Sequence, residues 1–194
     1  MTNSSKTLPI DPLDVLTVIS GGQTGADLGG LLGAEACGIP TTGCAPRGFK
    51  TERGPKPFVL RDRFNLIEHS SDKYPPRTED NVRDSDLTLI FSTDANSAGT
   101  VQTVNLCVKH DKPHITISEF DDHTRFKVLA FLQCFSPRII NIAGNRESKS
   151  KGLSATVRDV LKQVLPQYRH DLVTYHQPEL AKLQDKKKAR DEQA

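Results

Sequence analysis

Ser20, Gly21, Gly22, Gln23, Thr24 and Gly25 stand together in a chain of 194 residues, after the apolar run Val15-Leu16-Thr17-Val18-Ile19 and before the small-residue stretch that opens at Ala26-Asp27. The chemistry such a segment offers is anion binding. A strand that turns through glycines into a helix brings backbone N–H groups close to a ligand, and the helix dipole favours negative charge there. The hydroxyls of Ser20 and Thr24 add hydrogen-bonding capacity. The spacing fits neither the dinucleotide fingerprint GxGxxG nor the phosphate-loop pattern GxxxxGK(S/T). The expected site is therefore an anion seat of another kind, and a tight strand–helix turn with no ligand is the plainer alternative.

Two further turns have the same character. Residues 92–100 carry Ser97, Ala98, Gly99 and Thr100, and residues 143–148 carry Gly144 and Asn145. In open α/β sheets ligands bind beyond the C-terminal ends of the strands. Three helix N-termini facing one crevice would make it anion-seeking without any lysine.

Side-chain charge comes from a long, irregular stretch over 41–64. There Arg47, Lys50, Arg53, Lys56, Arg61 and Arg63 stand against Glu52 and Asp62. Loops of that length in a compact domain are functional or disordered. Phe49 and the prolines at 46, 55 and 57 favour order, while a solvated basic face is the alternative. Arg77, in Tyr74-Pro75-Pro76-Arg77, offers a planar fork suited to phosphate or an oxyanion. A surface ion pair with Asp80 is its competing role, and Thr78 and Glu79 are candidates for helix caps.

These residues need a scaffold, and the pattern supplies one. Apolar strand signals at 15–19, 66–68, 87–92, 114–118 and 138–143 alternate with helical patterns at 26–37, 76–84, 100–110, 124–135 and 152–165. Gly38 is placed to end the first helix. Strands separated by helices of this length predict an α/β fold, a single Rossmann-like domain with a mostly parallel sheet flanked by helices. The expected organisation is an N-terminal extension over 1–14, the anion- or cofactor-binding domain over 15–165, and a charged C-terminal extension over 166–194.

Composition narrows the function classes. A hydrophobic share of 36% and a charged share of 26% suit an ordinary soluble domain, and no apolar run reaches bilayer length. The first residues lack the apolar core of a secretory signal. A net charge of +2 does not argue for nucleic acid. Cys37, Cys44, Cys107 and Cys134 form no CxxC pair, so neither a zinc site nor any other metal site is expected, and a reducing cytoplasm fits them. His110 and His114 flank Pro113, which spoils a helical metal pair.

Gly21-Gly-Gln-Thr-Gly-Ala-Asp27, Gly38-Ile39, Gly43, Pro46-Arg-Gly-Phe49, Thr51-Glu52, Gly54 and Pro57 run in an order and spacing that resemble one family. Tyr74, Arg77-Thr78, Asn81-Val82, Ser85-Asp86, Gly99-Thr100, Lys112-Pro113 and Asn141-Ile-Ala-Gly144 continue the resemblance over about 15–165. It is the molybdenum carrier family, the molybdenum cofactor carrier proteins of algae and bacteria. The family shares a Rossmann-like superfamily with the lysine-decarboxylase-like, cytokinin-activating phosphoribohydrolases. The resemblance implies a cytoplasmic homo-oligomer, dimer or tetramer, that binds molybdenum cofactor as cargo and also molybdate-type oxyanions. It implies molybdoenzymes as acceptors and no protein ligand to the metal, since the pterin dithiolene supplies sulfur. Asn145 departs from the pattern, standing where proline is expected.

The rival within the superfamily is a nucleotide 5′-monophosphate phosphoribohydrolase. Such enzymes carry PGGxGTxxE, whereas the corresponding stretch here keeps Gly99-Thr100, has Asn96-Ser97 for the first glycines and Thr103 at the glutamate position. A nucleotide or ADP-ribose-type ligand sensor is the third class. The expectation is a non-catalytic carrier, its ligand held by Gly21, Gly22, Gln23, Thr24, Gly25, Ser97, Ala98, Gly99, Thr100 and Asn145, with Arg47, Lys50 and Arg77 as charge partners.

Overall fold

The computed structural model describes Leu8 and residues 15–191, and of residues 175–191 the backbone alone. Six strands form one sheet: β1 (Thr17–Ser20), β2 (Thr41–Ala45), β5 (Leu66–Glu68), β6 (Leu87–Phe91), β7 (His114–Ile117) and β8 (Ile139–Gly144). Their order is β5-β2-β1-β8-β6-β7 and every pairing is parallel. A small antiparallel pair, β3 (Lys50–Thr51) with β4 (Gly54–Pro55), stands apart from it. The expected α/β, Rossmann-like architecture is therefore the observed one.

The strands read as near-continuous apolar runs because both faces are covered, the usual condition of parallel sheets. Helices α1 (Ala26–Ala36), α4 (Thr124–Phe135) and α5 (Leu153–Asp191) pack side by side on one face. Helices α2 (Tyr74–Arg83) and α3 (Ala98–Lys109) pack on each other over the opposite face. This arrangement follows from right-handed crossovers, since β2 lies to one side of β1 while β6 and β7 lie to the other. Val18, Leu89, Ile140, Ile142, Val157 and Leu161 are fully buried in the main core. Gly29 and Gly33 let α1 approach Val157 and Leu161 of α5 more closely than any larger residue would permit.

Three particulars differ from the sequence expectation. The interval 41–64 is mostly regular: β2, a single turn at Arg47–Phe49, the β3–β4 pair and a wide helical turn at Phe58–Arg63. Its Phe49, Leu60 and Phe64 form a second apolar cluster against Leu31 and Leu66, which is why the segment is held. The last helix does not stop at Leu165 but continues through Pro166. Proline removes one N–H from the helix ladder, and the carbonyl it frees, that of Lys162, has the Cys37 thiol 4.0 Å away. Past the proline, Tyr168 and Leu172 belong to the core, and the Tyr168 hydroxyl donates to the Pro137 carbonyl at 2.7 Å. Thirdly, Thr78 and Glu79 do not cap α2: Thr78 donates back to the Tyr74 carbonyl and Glu79 pairs with Lys109 and His110. Residues 1–7 and 9–14 of the expected N-terminal extension, and the side chains of 175–194, lie outside the described residues.

No helix among the described residues is long and apolar enough to cross a membrane. Cys44 and Cys107 are buried, as expected for small apolar residues, whereas Cys134 is exposed and Cys37 half-buried.

Candidate functional site

β1, β8 and β6 are neighbours in the sheet, so the turns at 20–25, 144–148 and 92–97 emerge side by side at its C-terminal edge. Asn145 ties them together. Its backbone N–H donates to the Phe91 carbonyl at 3.0 Å, and its carbonyl accepts from Ala26 N–H at 3.0 Å. Its side-chain oxygen lies 2.8 Å from Ser92 Oγ, and its amide nitrogen donates to Ser97 Oγ at 3.1 Å. A residue that joins its own turn to two others through four groups is a structural keystone.

Three donors of the first turn are met within the protein. Gln23 N–H donates to Asp27 Oδ2 at 3.1 Å, Thr24 N–H to the Gln23 side-chain oxygen at 3.0 Å, and Gly25 N–H to Ser154 Oγ at 3.1 Å. Gly25 has a φ of 77°, and a Cβ there would overlap the Asn145 carbonyl and meet Arg146 and Glu147 backbone atoms at 2.7 Å. The turn needs glycine because the β8 turn crosses directly over it. Ser20 Oγ donates into the sheet, to the Ile142 carbonyl at 2.8 Å.

A carboxylate of the protein itself sits at the mouth of this turn. Glu52, brought round by the β3–β4 hairpin, accepts hydrogen bonds from the hydroxyls of Thr24 and Ser148 and, at 3.2 Å, from Ser148 N–H. Its own N–H donates to the Gln23 side-chain oxygen at 2.9 Å. Partial burial would raise its carboxyl pKa, but the Ser148 and Thr24 hydrogen bonds outweigh that and hold it below the ordinary value. Glu147 serves α5 in the same way, capping it through Gly152 N–H at 2.5 Å and Ser154 N–H at 3.0 Å.

The N-terminus of α3 is arranged differently. Ser97 and Thr100 turn their hydroxyls toward each other at 2.8 Å, and Thr100 continues to Ser92 at 2.8 Å. Neither side chain caps the helix. Among the described residues no acceptor meets the N–H groups of Ala98, Gly99 or Thr100, the donors a helix leaves open at its start. Ala98 and Gly99 are exposed, with nothing within 4 Å of the position of a Gly99 Cβ. They open onto a cleft of about 440 Å³ shared with Asp94, Ser97, Asn145, Arg146 and Lys149.

The expected charge partners divide. Arg77 is not on the surface with Asp80: it is buried, and its guanidinium lies 3.4 Å from Asp27 Oδ2. Asp80 instead pairs with Arg83 at 2.7 Å. Arg77 fits because Gly21 has no side chain, since a Cβ there would overlap the guanidinium. Gly22 closes against Leu60 and Leu66 rather than against open space. Burial pushes the Asp27 carboxyl above its ordinary range, with Arg77 opposing. Lys50 lies near the ring of Tyr74, as does Arg77. Arg47 points away, 4.0 Å from Asp72 with both side chains more than half exposed. Arg61 and Arg63 are likewise taken up by Asp62 and Glu35 on the surface. The sequence reading missed Arg146 and Lys149, although both follow the Asn145 turn directly, and it missed Glu52 as a partner of Thr24.

Residues 18–165 match the model of the Circularly permutated YpsA SLOG family. The chain belongs to that family. A solved structure from Syntrophus aciditrophicus, named "Putative molybdenum carrier protein", is 31% identical to it with a TM-score of 0.71. The match covers 78% of this chain and 96% of that one. No curated protein sequence matches the chain significantly. The resemblance read from the Gly21–Asp27 block and the residues around Phe49 therefore leads to the same group of proteins as the fold does.

Proposed function

We propose that this SLOG protein is a non-catalytic carrier of molybdenum cofactor, a pterin that brings its own phosphate and oxometal group. The observation that carries the reading is the α3 N-terminus, where unmet N–H groups share a cleft with Arg146 and Lys149. Helix N-termini are ready anion sites because the dipole and the free donors act together. The cofactor phosphate belongs there, on Ala98, Gly99 and Thr100, and the metal stays on the pterin sulfurs. The first turn then supports the site from beneath: Gly21 and Gly25 admit Arg77 and the β8 turn, while Gln23 and Thr24 hold Glu52. The likeness to a protein named as a carrier supports the same reading.

Thr103, at the position of the phosphoribohydrolase glutamate, donates its hydroxyl to the Gly99 carbonyl at 2.9 Å. Proton transfer at a glycosidic bond needs an acid or base within hydrogen-bond reach. Nothing at this position offers one, which supports binding over hydrolysis. A cytoplasmic homo-oligomer delivering its cargo to molybdoenzymes completes the proposal.

The test is to load the purified protein with molybdenum cofactor and run gel filtration, measuring molybdenum by mass spectrometry and pterin by fluorescence. Co-elution at a fixed ratio, resistant to AMP and lost in Lys149→Glu, is the expected result. Retention of AMP without pterin would overturn the carrier reading in favour of a nucleotide sensor or hydrolase.

A further inference from the structure

Tyr74, the first residue of α2, has cations from three separate elements around its ring. Arg146 Cζ lies 4.6 Å from the ring centroid, while Arg77 Cζ and Lys50 Nζ each lie 5.9 Å away. A cation within about 6 Å of an aromatic centroid is attracted to it, yet three like charges about one ring also repel one another. Asp27 pairs with Arg77, and Asp27 and Glu52 both feel the charge of Arg146, so two carboxylates stand against three cations; among the described residues neither Lys50 nor Arg146 has a side-chain hydrogen bond or ion pair.

Two buried donors beside the cluster also lack an acceptor: Arg77 Nε and Gln23 Nε2, in residues only 8% and 4% exposed. They belong to one assembly, because Asp27 Oδ2 accepts from both Gln23 N–H and Arg77. Buried donors are almost always satisfied in native proteins, so an orphaned pair calls for an acceptor. Two cations without an ion pair, a third held by one carboxylate, and the orphaned donors beside them suit the same kind of ligand, an anion.

We infer that the Tyr74 cluster is a second oxyanion seat, taking a tetrahedral dianion such as phosphate or molybdate among Lys50, Arg77 and Arg146. The inference rests on the proposed carrier reading and deepens it. Arg146 also lines the cleft at α3, so it joins the two seats. The ligand class is then a molecule with an anionic group at each end, one on the α3 N–H groups and Lys149 and the other beside Tyr74. The cluster draws on the hairpin, α2 and the β8 turn, so its parts come together only in the folded protein.

Calorimetric titration of the full-length protein with orthophosphate, and separately with molybdate, tests this by stoichiometry. Two ions per chain are expected. Lys50→Gln, at an exposed position, should weaken one of them at least fivefold and leave the other within twofold, and Lys149→Gln should do the reverse. Competition between the two ions then shows which of them each seat prefers. A single site that responds to Lys149→Gln alone overturns the Tyr74 seat and leaves the carrier reading standing. Failure to bind either ion, together with failure to retain cofactor, overturns both.

Discussion

Glu52→Gln tests whether the protein keeps its own anion at the first glycine turn. The substitution preserves the shape of the side chain and removes its charge. In the wild type one carboxylate receives the Thr24 hydroxyl, the Ser148 hydroxyl and Ser148 N–H. Hydrogen bonds to a charged group are worth about 1.5–3 kcal/mol each when buried, but Glu52 is only partly buried and solvent screens such contacts. The net loss on neutralisation is therefore expected to be about 1–2 kcal/mol, set at the low end for that screening. For a chain of this length that corresponds to a fall in Tm of roughly 2–8 °C. The sign with pH follows from the direction of the shift. The folded carboxyl titrates below its ordinary value of 4.5, so its contribution is complete above that value and is lost as pH falls through the lower, folded-state pKa. Thermal unfolding followed by circular dichroism should thus show a constant gap between wild type and Glu52→Gln from pH 6 to 8. The gap should close toward pH 3. A gap that persists at pH 3, or none at pH 7, would show that the charge is not what Thr24 and Ser148 hold. Orthophosphate affinity should rise in the variant, since a negative charge leaves the basic crevice. A fall would mean that Glu52 helps to place the ligand.

Gly25→Ala should destabilise the fold by about 3 kcal/mol or more, because a positive φ and a backbone overlap combine; chemical denaturation that finds less than about 1 kcal/mol would contradict the crossing of the turns. Asn145→Ala removes the side-chain bonds to the Ser92 and Ser97 hydroxyls and should cost about 1–3 kcal/mol while weakening anion binding at α3. Calorimetry that finds unchanged affinity would separate the keystone from the site. Tyr168→Phe removes the bond to the Pro137 carbonyl and should lower stability by about 1 kcal/mol. An unchanged Tm would detach the helix beyond Pro166 from the core.

The parts of the fold that were legible in the sequence are those governed by local pattern. Leu87–Phe91 is largely apolar, and a six-residue turn separates it from α3, so strand, turn and helix follow in order. The turns at 20–25, 92–100 and 143–148 were legible as a convergent set because strand ends in a parallel sheet share one edge. The helical pattern over 152–165 weakens beyond Pro166, yet tertiary packing prevailed: Tyr168 and Leu172 gain a core position that rewards continuing the helix. Arg77 was read as an oxyanion partner, with a surface ion pair to Asp80 as the alternative, and its buried pairing with Asp27 was not foreseen. Its burial depends on the missing side chain of Gly21, more than fifty residues earlier, and on a carboxylate in another helix. Nothing local announces such a pairing.

The same distance in sequence explains the two roles of glycine. Gly25 and Gly99 both open helices, and a motif cannot tell them apart. At Gly25 the space beside the backbone is filled by the β8 turn, and the N–H is met by Ser154. At Gly99 that space is open, and among the described residues no acceptor stands over the start of the helix. One glycine lets protein approach protein, while the other leaves room for something that is not protein. The difference lies in where β8 runs, because a strand inserted between β1 and β6 must send its turn across one of its neighbours' exits. It crosses β1. The order of the sheet therefore selects α3 as the open pole of the crevice, and it delivers Arg146 and Lys149 to that pole from the strand that closed the other.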